Sequence, residues 1–145
     1  MTTVKEVLDE KGRTVWSISP EARVFDALKL MADKDVGALL VMSKKDLVGI
    51  ISERDYARKV VLQGKSSLDT PVKDIMTTRV YYVDPETTTQ ECIAMMTKNR
   101  IRHLPVMQKG KLDGLISIGD IIKAIISQQK IAIDHLQNYI MGKYL

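Results

Sequence analysis

Laid against itself with a shift of 65 residues, the chain repeats, and this duplication is the strongest restriction on what it can fold into. GIISERDY (49–56) falls on GLISIGDI (114–121). Without any gap the same shift pairs Pro20 and Glu21 with Pro85 and Glu86, Met31 with Met96, Leu39 with Leu104, and Val41 and Met42 with Val106 and Met107. With a three-residue indel, VKEVL (4–8) also matches VKDIM (72–76). Two units of about 60 residues therefore account for nearly the whole of the 145-residue chain. Neither could bury a comfortable core by itself, so the two are expected to pack sheet against sheet and leave clefts between them. The repeat places one unit at residues 1–65, a second at 66–128, and a helical extension at 129–145.

Each unit predicts the same α+β succession, β-α-β-β-α. A β-rich run (Thr14 to Ile18; Val80 to Val83) ends at Ser-Pro or Asp-Pro, which predicts a helix with proline at its first position. Apolar residues then recur at helical spacing: Val24, Ala27, Leu28 and Met31 in one unit, Cys92, Ile93 and Met96 in the other. Cys92 reads as a small core residue. Two apolar strands follow, ALLVM and LVGII or HLPVM and LDGLI, joined by the polar turns SKKD and QKGK. A second helix is predicted from Ser52 and from Ser117. After Ser127 the second of these continues, with Ile133, Leu136 and Ile140 along one side, a stripe that suits either packing on its own unit or a dimer contact.

Composition narrows the function classes. A hydrophobic fraction of 45% and a charged fraction of 28% are those of a globular chain. Net charge is +4 and the charges are interspersed, which disfavours nucleic acid as a partner, since that calls for a clustered basic face. One cysteine allows no intrachain disulfide and fits a reducing compartment; no apolar run is long enough for a membrane span, and MTTVKEVLDEKG lacks the apolar centre of a signal peptide. A cytoplasmic, membrane-free protein is expected. No acid-base pair, P-loop or GxGxxG pattern is present, and Cys92, His103 and His135 lack metal-ligand spacing, so neither catalysis nor a metal is expected.

The chemistry is concentrated in the doubled Ser-x-x-Asp, Ser52 to Asp55 and Ser117 to Asp120. One reading is a capping box, serine at the N-cap and a carboxylate three residues on, although the shorter Asp stands where Glu or Gln is usual. The other is half of a nucleotide site, with a helix N-terminus for a phosphate and a carboxylate for both hydroxyls of a ribose.

The tandem GIISERD and GLISIGD, with IMTTRV and RIRHLPVM in the same order, resemble a pair of cystathionine β-synthase (CBS) domains, and the resemblance covers nearly the whole chain. It implies two βαββα units related by a pseudo-twofold, a frequent homodimer, and binding of adenosine compounds such as AMP, ADP, ATP, NAD(H) or S-adenosylmethionine, with AMP the first expectation. By the same resemblance, Asp120 and Asp55 would each bind a ribose, Ser117 and Ser52 would help hold phosphate, and Ile118 and Gly119 would belong to the ligand site. Arg102 and His103 would supply cations in the second unit, where the first has Gly37 and Ala38 but places Arg54 beside its Asp. Arg102 and Arg54 suit bidentate phosphate contacts. Met76, Thr77, Arg79, Tyr81, Gly37 and Pro105 are expected near an adenine, with Lys11 to Val15 serving the other cleft; of the neighbours Tyr81 and Tyr82 only one could stack on a base if both lie on a strand. Trp16 is read as packing or dimer contact. The leading expectation is thus a regulatory adenosine-ligand sensor; the alternative is a protein-protein adaptor with vestigial clefts.

Overall fold

The computed structural model describes residues 2–142, in two compact units. One is Thr14–Tyr81; the other joins Met1–Arg13 to Tyr82–Leu145. These packing units cut across the sequence repeat. The leading segment packs with the second repeat, and residues 66–81 pack with the first. We call Thr14–Tyr81 the first-repeat unit and the other the second-repeat unit. Of the extension at 129–145, residues 143–145 lie outside the described residues.

The leading segment forms helix α1 (Val4–Lys11), capped by Thr3, whose Oγ1 accepts the Glu6 N–H at 3.3 Å. Its buried residues, Val4, Val7 and Leu8, are spaced as one helix face. Gly12 ends it at φ +96°, a conformation that suits glycine, and donates its N–H to Leu8 O at 2.7 Å.

In the first-repeat unit, β1 (Ser17–Ile18) runs parallel to β2 (Ala38–Ser43), which pairs antiparallel with β3 (Asp46–Ser52). Helix α2 (Val24–Lys34) buries Val24, Ala27 and Met31 in one cluster with Leu39, Val41 and Ile51, and Val60, Val72 and Ile75 complete it. After β3 come a short α3 (Glu53–Tyr56), a π-helical turn (Ala57–Val61) and later a 3-10 turn (Val72–Asp74).

The second-repeat unit repeats the plan with α4 (Thr89–Asn99), the antiparallel pair β4 (His103–Gln108) and β5 (Lys111–Ser117), and α5 (Ile118–Ile140). Cys92 is fully buried, as the spacing predicts. The two hairpins carry the same register shift, at Val41/Met42 and Val106/Met107. α2 and α4 both end on a left-handed residue, Asp35 (φ 53°) and Arg100 (φ 54°).

The expectations for the leading strands and for proline at the first helical position are corrected. The β-rich runs shrink to Ser17–Ile18 and, at Val80–Val83, to a single bridge in which Val83 N–H donates to Pro105 O (3.0 Å) and Met107 N–H to Val83 O (2.8 Å). Pro20 and Pro85 lie in turns ahead of the helices, which begin at Val24 and Thr89. Asp84 explains the second turn: its Oδ1 accepts the N–H groups of Glu86 (2.8 Å) and Thr87 (3.1 Å), a local alternative to helix. α5 runs unbroken through the boundary placed at 128/129, and the stripe Ile133, Leu136 and Ile140 is 56–73% exposed rather than packed on its own unit.

Candidate ligand site

The glycine that opens each Gly-to-Asp motif is required by close approach. A Cβ on Gly114 would stand 2.8 Å from Leu8 Cδ2 of α1; one on Gly49 would stand 2.7 Å from Met76 Sδ and 3.0 Å from Thr77 O. Leu8 and Met76 are equivalent in the repeat VKEVL and VKDIM, so each strand is crossed by the copy of that segment that belongs in sequence to the other repeat. The crossing brings α1's end to Asp120, and residues 75–77 to Asp55.

Both Ser-x-x-Asp motifs form the reciprocal cap. Asp55 N–H donates to Ser52 Oγ (3.2 Å) and Ser52 N–H to Asp55 Oδ2 (3.0 Å). Asp120 N–H donates to Ser117 Oγ (3.2 Å) and Ser117 N–H to Asp120 Oδ2 (2.9 Å). Each cap engages one carboxylate oxygen, so capping and ligand binding are compatible. What differs is the second oxygen. In the first-repeat unit Asp55 Oδ1 is met by Lys59 Nζ at 3.0 Å and, at 3.5 Å, by the Thr77 hydroxyl, while the Ser52 hydroxyl donates to Oδ2 at 3.1 Å. In the second-repeat unit Lys11 Nζ approaches Asp120 at the same Oδ2 that serves the cap, at 2.6 Å, and Oδ1 accepts none of these bonds. The Asp120 side chain is 24% exposed, that of Asp55 13%.

Each lysine also donates to a backbone carbonyl: Lys11 to Leu115 O (2.9 Å), Lys59 to Ile75 O (3.0 Å). In the first-repeat unit the strand residue equivalent to Leu115, Ile50, instead exchanges both backbone bonds with Thr77 (3.0 and 2.9 Å). Lys11's ammonium thus replaces a backbone donor.

Of the expected residues, Arg102, His103, Ser117, Ile118, Gly119 and Asp120 come together where β4 begins and β5 passes into α5. His103 sits opposite Ser117 in the ladder, and Ile118 N–H donates to Arg102 O at 2.8 Å. Pro105 is buried in β4, two residues further on. Burial pushes the His103 imidazole below its ordinary value of 6.5; Lys11 and Arg102 push the same way and Asp120 opposes them. Burial raises the Asp120 carboxyl, but the Lys11 and Ser117 hydrogen bonds and the Lys11 charge outweigh it, holding the group below 3.8 and ionised.

In the first-repeat unit Gly37 accepts the Glu53 N–H at 3.1 Å and Ala38 pairs with Ser52. Gly37 lines a depression of about 320 Å³ with Leu28, Met31, Val36, Asp35 and Glu53, two carboxylates that disfavour a phosphate. Arg54 is exposed. Among the described residues Arg79 and Tyr81 stack on each other, 5.8 Å from guanidinium carbon to ring centroid, and neither bonds Asp55. Residues 81 and 82 lie outside any strand, so the alternation expected of them does not apply; Tyr82 is exposed. Trp16 lies under Lys34, whose Nζ is 4.3 Å from the indole centroid. Sequence reading passed over Lys59, although its signal was present: an acid followed by a base at i+4, where the second repeat has Ala124 after Asp120.

A fold made of two βαββα units, each ending on a Gly-to-Asp motif, defines a class, and comparison with known proteins agrees. The CBS domain family model matches residues 4–62 and 72–127. The Arabidopsis thaliana "CBS domain-containing protein CBSX3, mitochondrial" is 39% identical over 99% of this chain and 74% of its own length. A solved CBS-domain protein from Burkholderia ambifaria MC40-6 is 54% identical, with a TM-score of 0.86 over 88% of this chain and 96% of that one. The CBS domain pair of protein MJ0100, solved with 5′-methylthioadenosine and S-adenosyl-L-methionine, is 22% identical with a TM-score of 0.78, covering 88% of this chain and 98% of that one, and shares the fold. The chain belongs to the CBS-domain family, as a tandem pair.

Proposed function

We propose that this CBS pair is a non-catalytic regulatory module that binds an adenosine compound and passes its presence on through a change in a cytoplasmic homodimer. The observation that carries this reading is Asp120: an ionised, part-buried carboxylate whose Oδ1 takes neither the cap nor Lys11, one turn into α5 from Ser117, which stands across the ladder from His103. A ribose diol asks for such an acceptor, and the adjacent Arg102 and His103 suit a phosphate. AMP is the first candidate, with ADP, ATP, NAD(H) and S-adenosylmethionine behind it; the MJ0100 pair shows only that this fold can hold adenosine compounds. An energy or redox sensor is the role that fits such ligands. The test is thermal unfolding of the whole chain with each compound at about a hundred times its dissociation constant, where one occupied site adds roughly 2.7 kcal/mol. A shift of several degrees with one of them is expected; no shift with any would refute the reading.

A specific observation favours the adaptor as second reading. Ile126, Ile133, Leu136 and Ile140 are exposed along α5, an apolar strip that a partner helix would cover. Removing residues 129–145 would then abolish partner capture whether or not nucleotide is added. Capture that survives the truncation counts against it.

A further inference from the structure

The two repeats keep the same aspartate but do not leave it in the same condition. Asp55 Oδ2 takes two donors from Ser52, its backbone N–H and its hydroxyl. Oδ1 takes Lys59 and, more distantly, Thr77. Both of the latter are anchored elsewhere: Lys59 follows one helical turn after Asp55 and bonds Ile75 O, and Thr77 is fixed by its two backbone bonds to Ile50. A diol arriving at Asp55 would have to displace donors that the fold itself supplies, and each displaced donor would have to find a new acceptor.

The sequence gives the second repeat neither closing residue. The position equivalent to Lys59 is Ala124, and the position equivalent to Thr77 is Asp9, which turns away to pair with Arg13 at 2.7 Å. Asp120 Oδ1 accepts neither the cap nor Lys11, which share Oδ2. The polar residues on the neighbouring strand follow the same division, with Arg102 and His103 in one unit and Gly37 and Ala38 in the other.

We infer that Lys59 and Thr77 make Asp55 a purely structural carboxylate, so that each chain carries one ribose-accepting carboxylate, Asp120. The inference rests on the ligand reading above and goes beyond it in fixing which half binds and how many molecules. Lys59 and Thr77 act through Asp55 as positioning residues that exclude a second ligand.

Isothermal titration of the full chain with AMP, and in turn with ADP, ATP, NAD, NADH and S-adenosylmethionine, tests it. One molecule per chain is expected, weakened roughly tenfold or more in Asp120→Asn. Asp55→Asn should keep the stoichiometry and affinity while lowering the melting temperature. The pair Lys59→Met with Thr77→Val, which leaves Asp55 in place and frees Oδ1, should admit a second, weaker molecule. Two molecules per wild-type chain, loss of binding in Asp55→Asn with retention in Asp120→Asn, or no second molecule in the double variant would overturn the assignment while leaving the ligand reading intact. No binding of any of the six compounds by the wild-type chain would remove both together. Circular dichroism of each variant separates lost binding from lost folding.

Discussion

Asp55 and Asp120 stand at the same point of the repeat, and lysines reach them from opposite directions along the chain. Lys59 comes from one turn further on in the same helical stretch; Lys11 comes from a helix 109 residues earlier. The first arrangement is local and survives any rearrangement that keeps the helix. The second exists only while α1 lies on β5. A duplicated scaffold can thus hold its hairpin, cap and glycine constant and let the charge partners diverge, so that one carboxylate becomes a structural element and the other remains available.

Several substitutions would break or sharpen that comparison. The largest effect is expected at the crossing segments. Leu8→Ala empties a fully buried position and should cost about 3 kcal/mol in urea unfolding, more than Met76→Ala, whose side chain is only part-buried. Equal costs would mean that the two crossings bear equal weight. Next come the glycines beneath them. Gly49→Ala and Gly114→Ala each crowd the crossing residue and should lose about 1–3 kcal/mol. Gly49 should be the worse, because Thr77 O is backbone and cannot swing aside as Leu8 can. Then the caps: Ser52→Ala and Ser117→Ala should each lose about 1 kcal/mol, with the former larger because the Ser52 hydroxyl also donates to Asp55.

A smaller, pH-dependent difference should separate the halves. His103 is held below 6.5 in the fold, chiefly by burial, so the unfolded chain binds a proton first. Its contribution is therefore complete above pH 6.5 and lost as pH falls from there toward the folded value. The first repeat has Ala38 at that position and contributes nothing comparable. The decline in melting temperature between about pH 7.5 and 5.5 should accordingly flatten in His103→Ala; an unchanged slope would assign it elsewhere. Asp120, held below 3.8, keeps its stabilisation above that value and loses it only as pH falls through its lower folded value; Lys11→Met should move its carboxyl upward, as carbon-detected titration would show. Least of all in effect on stability, Cys92, pushed up to about 11 by burial and by Glu91, should resist alkylation at neutral pH until the chain unfolds.

Much of the fold was legible because it is local. Period-2 and period-3.6 patterns placed both hairpins and the helices that bury Met31 and Met96, and the spacing of Ser and Asp marked both caps. The exceptions were also local but competed with each other. Asp84 and Thr87 hold Pro85 in a turn, and the run at Val80–Val83 finds one bridging partner instead of a strand. In the site, Ser117, Asp120, Arg102 and His103 converge as expected, since a hairpin of known register must place His103 opposite Ser117.

The sequence by itself determined the duplication, the hairpins, the reciprocal caps and the acid-base spacing of Asp55 and Lys59, because each depends on residues a few positions apart. Tertiary structure alone decided that the leading helix packs with the second repeat, and with it the pairing of Lys11 with Asp120. Chain order places Lys11 beside the first repeat. Burial of Val4, Val7 and Leu8, with Leu8 against the bare backbone of Gly114, carries it to the other, together with the backbone bonds from Val4 N–H to Thr87 O (2.8 Å) and from Lys5 N–H to Pro85 O (2.9 Å).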